Sequence, residues 1–403
     1  MKLCVLKRER TFSIQVGSIQ NPAAPATGPA RVVVANGIIA AIELVDENQL
    51  SLPPALNQCR HYDFRKYTLC PGLIDCHVHL ALDGIDFFAA QARWQQPDAL
   101  QDYLRHNLEQ TLAAGIVLIR DGGDSHQVTL NFKHNLPENH LPYILSPGEA
   151  IHVRGKYGSF LGRGVQNRWE MIEQLDILSQ RGIDFVKVLV TGIVSFNEYG
   201  KIGDVQFTQD DLAFLVTEAH SRGLQVMAHA NGDLGVQQAI AARVDSIEHG
   251  YFMSQDTIKR LADSHIAWVP TVTPVAVQLS PEKKSAWSEA QRNIIEKTYL
   301  KQLDTIACAH QEKVLLGIGT DAGSAGVLHG NALHFELDLF RQAGLIDSDI
   351  FSIVTRNGAI ITNQRENFGS VEKGKLPAML LVADNPCTNL KTLAEPMVMF
   401  LPE

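Results

Sequence analysis

The sequence predicts an α/β chain built around a closed eight-stranded (β/α)8 barrel of the TIM type, and three observations predict it. Short apolar runs alternate with helix-like segments from about Leu69 to Ala359, eight such runs fit that stretch, and no GxGxxG follows the first of them. Apolar strands alternating with helices make a parallel sheet covered on both faces. Eight units in one stretch suit closure into a barrel. The missing glycine fingerprint speaks against an open, doubly wound sheet.

The first 65 or so residues read as short strands and turns. Arg31 to Leu44 carries two β-branched runs joined by Asn36-Gly37, a strong hairpin signal. Candidate barrel strands then end near His79 (PGLIDCHVH), Asp121 (VLIRD), Gly148 (YILSPG), Thr191 (VKVLVT), Ala230 (QVMAHA), His249 (SIEH), Thr271 (AWVPT) and Asp321 (LGIGTD). Between them, Asp98 to Ala114 is amphipathic and stopped by Gly115. Thr208 and Asp211 resemble a capping box that opens a helix running to about Ser221, with Gly223 as its stop. The tail from about Phe368 is β-type again, with the apolar run Ala378 to Ala383 set between Gly374-Lys375 and Asn385-Pro386. The expected division is a β-rich unit of residues 1–66 and 365–403 and a barrel of residues 67–364.

Composition narrows the class. Of 403 residues, 45% are apolar and 20% charged, the balance of an ordinary soluble globular protein. The net charge of -9 argues against a nucleic-acid or anionic-membrane partner, because no basic surplus exists to meet phosphates. Six cysteines without CxxC pairing read as free thiols in a reducing compartment. No run approaches the roughly 18 apolar residues of a membrane span, and the first ten residues lack a signal-type apolar stretch. The expectation is a cytoplasmic protein acting on a small molecule, with no nucleic-acid or membrane partner.

His77, His79, Lys187, His229, His249 and Asp321 all fall at or just after the C-terminal end of an expected strand. In a barrel those ends converge on one face, where such folds place their active sites. Taken singly, a histidine in AHANG or IEHG would also suit a hydrogen-bonded core position, and Asp321 could cap the next helix. The set together argues for a metal site. His77 and His79 are two apart on a strand, so both face the same side and can share a cation. Neutral imidazoles suit ions such as Zn2+. Lys187 interrupts an apolar strand, where an unpaired ammonium is costly. Burial frees its amine to react with carbon dioxide, and the resulting carbamate can bridge two cations. His229 and His249 would complete the second ion's shell, and Asp321 would ligate the first.

The runs PGLIDCHVHL, VKVLVTG, MAHANG, VDSIEHG and GTDAG, in this order, resemble the amidohydrolase superfamily. They are most similar to the branch holding imidazolonepropionase-like proteins and Xaa-Pro dipeptidase or zinc carboxypeptidase-like enzymes. The likeness covers nearly the whole chain, and it implies that the β-rich ends form a small β-sandwich. The tail FGSVEKGKLPAMLLVADNP resembles the closing signature of that family but reads Pro377-Ala378-Met379 where an Ala-Asp pair is usual. By this resemblance His77, His79 and Asp321 would hold the more buried ion, His229 and His249 the more exposed one, and carboxylated Lys187 would bridge them. Imidazolonepropionase typically has one metal and no such lysine, so Lys187 shifts the expectation to a binuclear, peptidase-like hydrolase of C–N amide bonds.

The implied mechanism is attack by a metal-bridging hydroxide, with Asp321 carrying its proton to the leaving nitrogen. The alternative on the same scaffold is a cyclic-amide hydrolase (imidazolone- or hydantoin-like) or a deaminase using one ion. A barrel kept only for binding would have lost a ligand, and none is missing. Candidate substrate contacts are His152, Arg154 and Tyr157 in AIHVRGKYGS, Tyr199 after the fourth strand and His329 after the eighth; an Arg or Tyr there could clamp a substrate carboxylate. Related enzymes often carry a histidine-rich stretch where this chain has GKYGSFLGRG. Barrels of this type often form symmetric assemblies, so a homo-oligomer is expected.

Overall fold

The computed structural model describes residues 4–5, 10–45, 59–137, 140 and 142–402. In chain order its strands are Cys4–Val5 (β1), Phe12–Ile19 (β2), Ala30–Ala35 (β3), Ile38–Leu44 (β4), Arg60–Pro71 (β5), Leu73–Val78 (β6), Ile116–Asp121 (β7), Tyr143–Leu145 (β8), Ala150–Val153 (β9), Gly164–Val165 (β10), Val186–Leu189 (β11), Val226–Ala230 (β12), Ser246–His249 (β13), Ala267–Val269 (β14), Met379–Val382 (β15) and Val398–Phe400 (β16).

Both chain ends meet in one seven-stranded mixed sheet of order β1-β16-β15-β5-β2-β3-β4. It has its own apolar core, which includes Phe12, Ile14, Val32, Leu69, Leu381 and Phe400. The rings of Phe12 and Phe400 stack with centroids 5.7 Å apart. The β3–β4 hairpin forms where its turn dipeptide puts it. Asn36 (φ 55°) and Gly37 (φ 78°) both adopt the left-handed conformation that a two-residue turn of this type requires. Residues 46–58 of the expected N-terminal unit lie outside the described residues.

The middle of the chain is a mixed α/β fold with parallel strands in two sheets, β6-β7-β8 and β10-β9-β11-β12-β13-β14. Helices Pro97–Ala113, Arg168–Gln180, Gln209–Ser221, Gly232–Ala242, Gln255–Ala262 and Glu289–Gln311 lie between successive strands. Strands β6, β7, β11, β12 and β13 are buried at every position, as strands covered on both faces must be. Thr208 caps its helix by accepting from Asp211 N at 3.2 Å. The Asp211 carboxylate accepts the Thr208 hydroxyl at 2.8 Å instead of reaching the backbone N–H that would complete a capping box.

Two expected strands differ in detail. The third breaks around Pro147-Gly148: β8 pairs with β7, while β9 pairs with β11. The eighth, residues 315–322, makes isolated parallel bridges, Trp268 with Leu316 and Val78 with Ala322, rather than a regular strand. Backbone hydrogen bonds nonetheless tie it to both neighbours. Trp268 N donates to Leu315 O at 2.9 Å, and Asp321 N donates to His77 O at 2.7 Å. Glycine permits the approach: a Cβ on Gly319 would stand 2.5 Å from Val269 Cγ1 and 2.8 Å from His77 Cβ.

Candidate metal centre

The C-terminal ends of the parallel strands open into a cavity of about 290 Å3 lined by His77, His79, Lys187, His229, His249 and Asp321. All six residues expected from the sequence are therefore brought together. Strand geometry is the cause. His77 on β6, His229 on β12 and His249 on β13 stand near the ends of their strands, and Lys187 is the second residue of β11. His79 and Asp321 stand in adjacent segments, fixed by His79 N donating to Ala322 O at 2.7 Å. His249 (φ 69°), Thr271 (φ 48°) and Asp321 (φ 55°) all take left-handed backbone conformations. Such conformations are costly for residues with a Cβ, most of all for a β-branched one, and cluster where function requires them.

The ligand atoms of His77, His79 and Asp321 lie within 4.8 Å of one another, close enough to hold one cation. Asp321 Oδ1 is 3.5 Å from His77 Nε2 and 3.4 Å from His79 Nε2. The ring of His249 packs between the two halves of the site, its centroid 4.9 Å from that of His77 and 4.5 Å from that of His229. Tautomers are set by the partners of the opposite nitrogens. His77 Nδ1 donates to the Glu248 carboxylate at 2.8 Å, leaving a bare Nε2 that is buried without a hydrogen-bond partner. His249 Nδ1 lies 2.6 Å from Thr271 Oγ1. His229 Nε2 faces Gly192 O at 3.2 Å and the Asn231 amide at 3.3 Å.

Burial holds His79 and His229 down to about 3, and His77 and His249 well below the ordinary histidine value. The imidazoles are therefore neutral at physiological pH, the form that ligates. Burial also pulls the Lys187 ammonium below its usual value, with Glu248 opposing. Lys187 Nζ is buried with no hydrogen-bond partner. Desolvation brings its pKa down to about 8, which puts the free amine within reach near neutral pH. Burial pushes the Asp321 carboxyl upward, and Lys187 opposes it. A set of neutral imidazoles, an unpartnered amine and one carboxyl fits divalent cations.

Sequence reasoning missed the layer beneath. Glu248 is fully buried, and its carboxylate accepts from His77 Nδ1, from Arg120 Nη2 at 2.8 Å and from Ser246 Oγ at 2.6 Å. Arg120 Nε also donates to Cys76 O at 2.8 Å. The available signal was a charge inside an apolar strand, in VLIRD and SIEH, the same signal that singled out Lys187. Trp268 Nε1 and Gln302 Nε2 both donate to His249 O, at 3.1 and 2.6 Å, and hold its unusual backbone.

Of the loop residues expected to contact substrate, Tyr157 lines the cavity, its ring centroid 5.7 Å from that of His229. The other four stand outside the lining. His152 is buried against the carbonyls of Val153 (3.0 Å) and Gly162 (3.1 Å) and closes its own loop. Arg154 is exposed and paired with Glu170 at 2.7 Å. Tyr199 is exposed and packs edge-on to Phe252 at 5.4 Å. His329 faces Leu82 O at 2.9 Å. Among the described residues no helix is long and apolar enough to cross a membrane.

The profile of the amidohydrolase family matches residues 68–401. Ochratoxinase from Aspergillus niger is 22% identical over 401 residues, covering 91% of this chain and 80% of that protein. Its crystal structure matches with a TM-score of 0.78 at 18% identity, over 97% of this chain and 93% of that one. A Xaa-Pro dipeptidase solved with methionine in its active site matches with a TM-score of 0.80 at 23% identity, over 97% and 100% of the two chains. Phenylurea hydrolase B matches with a TM-score of 0.79 at 16% identity, over 97% and 95%. At these identities the structural likenesses speak for a common fold.

Proposed function

The chain belongs to the amidohydrolase family, and from that premise we propose that it is a binuclear metal-dependent hydrolase of C–N amide bonds. We read the two parallel sheets, joined through residues 315–322, as one closed (β/α)8 barrel, and the terminal sheet as its small β-sandwich. The division into residues 1–66 with 365–403 and residues 67–364 is kept as part of this reading, with β5 running on through Pro71 before the first barrel strand.

His77, His79 and Asp321 would hold one cation, His229 and His249 the second, and a carbamate on Lys187 would serve both. The observation that carries this reading is Lys187 Nζ, buried and unpartnered in the same cavity as the four imidazoles. An amine in that position gains little as a structural element, whereas a carbamate would meet two cations. The imidazole-rich donor set favours Zn2+. When bound, the ions supply an acidified water and a polarised carbonyl.

The protein's own groups do the rest. Asp321, beside His77 and His79, accepts the proton of the attacking water and returns it to the leaving nitrogen. Glu248 keeps His77 in the tautomer that presents Nε2. Relatives named as a Xaa-Pro dipeptidase and an ochratoxinase support a peptide-like or N-acyl amino acid amide as the substrate type.

Metal analysis of the purified protein, coupled to a screen of N-acyl amino acids, Xaa-Pro and other dipeptides and cyclic ureides, tests the reading. Two ions per chain and release of an amine from a linear amide are expected. One ion per chain with turnover of cyclic ureides, or deamination, would establish the single-metal alternative instead.

A further inference from the structure

Beyond the candidate ligands, the apolar side chains of the cavity wall include Leu161, Leu189, Ile193, Val194, Phe196 and Val275. Of the polar side chains in the lining, Gln278, Asn231, Ser324 and Tyr251 are engaged within the protein. Gln278 Nε2 donates to Pro274 O (3.1 Å) and Ala325 O (2.8 Å), and its Oε1 accepts from Trp287 Nε1 (3.3 Å). Asn231 Oδ1 accepts from Tyr251 N (3.2 Å), and Ser324 Oγ donates to Asp321 O (2.7 Å). The Tyr251 hydroxyl donates to Thr271 O (3.1 Å).

Among the described residues the lining contains no arginine, and its one lysine is Lys187, which the reading above assigns to the metals. Tyr157 stands on the same wall, its ring centroid 5.7 Å from that of His229. With the metal positions taken up by the attacking water and the amide carbonyl in the reading above, a free carboxylate entering this space would shed its water and find no protein cation in exchange. An aliphatic or aromatic group would instead cover apolar wall. A 150 Å3 apolar cavity holds roughly one benzene, so about 290 Å3 leaves room for one ring-sized group beside the reacting amide.

We propose that the substrate presents an uncharged, apolar group to this cavity. It is a hydrophobic amide, anilide or capped N-acyl amino acid, and dipeptides and N-acyl amino acids with a free carboxylate are the poorer substrates. The proposal rests on the amide-hydrolase reading and narrows it to one chemical class.

Matched amides in which a terminal carboxylate is exchanged for an ethyl group of similar size provide the test: N-benzoylglycine against N-propylbenzamide, and N-hexanoylglycine against N-propylhexanamide. Both members of each pair release the same acid. Binding is followed by calorimetry on the metal-loaded full chain, and turnover by chromatography of the released acid. The neutral member is expected to be favoured at least tenfold in Kd and in kcat/KM, a difference of about 1.4 kcal/mol. Equal treatment, or preference for the carboxylate, overturns the proposal while leaving amide hydrolysis in place. Tenfold tighter binding of the neutral member with no turnover of either would uphold the cavity's preference and refute the hydrolase reading.

A second arm places a cation on the wall. Ile193 is 54% exposed, so Ile193→Arg leaves the core intact. It is expected to erase or reverse the discrimination, and an unchanged preference would mean that recognition lies elsewhere and the proposal is wrong.

Discussion

Glu248→Gln asks how far the metal centre depends on a side chain that ligates nothing. In the parent, one fully buried carboxylate accepts from His77 Nδ1 (2.8 Å), Arg120 Nη2 (2.8 Å) and Ser246 Oγ (2.6 Å). Glutamine has the same shape but one acceptor and one donor. If its oxygen stays with Arg120 and Ser246, its NH2 faces His77 and favours the Nε2–H tautomer, which turns a proton toward the cation. If the amide flips, the NH2 faces the Arg120 guanidinium, donor against donor. Either way a buried group loses its match. Removing such an outer partner of a ligating histidine costs 10- to 100-fold in metal affinity, about 1.4–2.8 kcal/mol. Exchanging a charge-assisted hydrogen bond to Arg120 for a neutral one adds about 1 kcal/mol of lost stability. Zinc titration into chelator-stripped protein reads the first effect, and urea unfolding of the apo protein reads the second. Zinc affinity within twofold of the parent, with an unmoved urea midpoint, would refute the role given to Glu248.

Lys187→Ala is expected to lower metal content to one ion per chain or none, and two retained ions by metal analysis would eliminate the bridging carbamate. Asp321→Asn should keep much of its metal yet lose at least about 1,000-fold in kcat, roughly 4 kcal/mol of barrier; near-normal turnover would remove Asp321 as the proton carrier. Gly319→Ala inserts a methyl 2.5 Å from Val269 Cγ1 and 2.8 Å from His77 Cβ. It should destabilise by about 1–3 kcal/mol and weaken zinc binding, and an unchanged urea midpoint would contradict the close approach of the two strands. Stripping the metals should lower the melting temperature, since ions at 100 times their Kd contribute about 2.7 kcal/mol to the folded state. A melting curve indifferent to chelator and to re-added zinc would count against the centre.

The metal ligands were readable because barrel geometry converts a sequence regularity, polar residues at the ends of apolar strands, into a place. The supporting charges were not read, although Arg120 in VLIRD and Glu248 in SIEH carried the signal used for Lys187. Their neighbours made them look like ordinary strand positions. Loop residues fared worst. His152 and Arg154 stand five and three residues before Tyr157, yet only Tyr157 reaches the cavity, because Gly162 O and Glu170 claim the other two. The walls formed by Ile193, Val194, Phe196 and Val275 left no trace, since an apolar loop residue resembles a core residue until the chain's course is known. The irregular eighth segment was legible as LGIGTD, but its glycines admit only bridges where a regular strand was expected.

The terminal sheet also bears on how this chain is made. β5 pairs on one side with β2 and on the other with β15, so Pro71 waits for Met379. At 5–20 residues per second, translation leaves that flank open for on the order of tens of seconds. A nascent chain with a bare strand edge invites pairing with its neighbours on the polysome. Products truncated before Met379 should therefore collect in inclusion bodies even with every candidate ligand already synthesised.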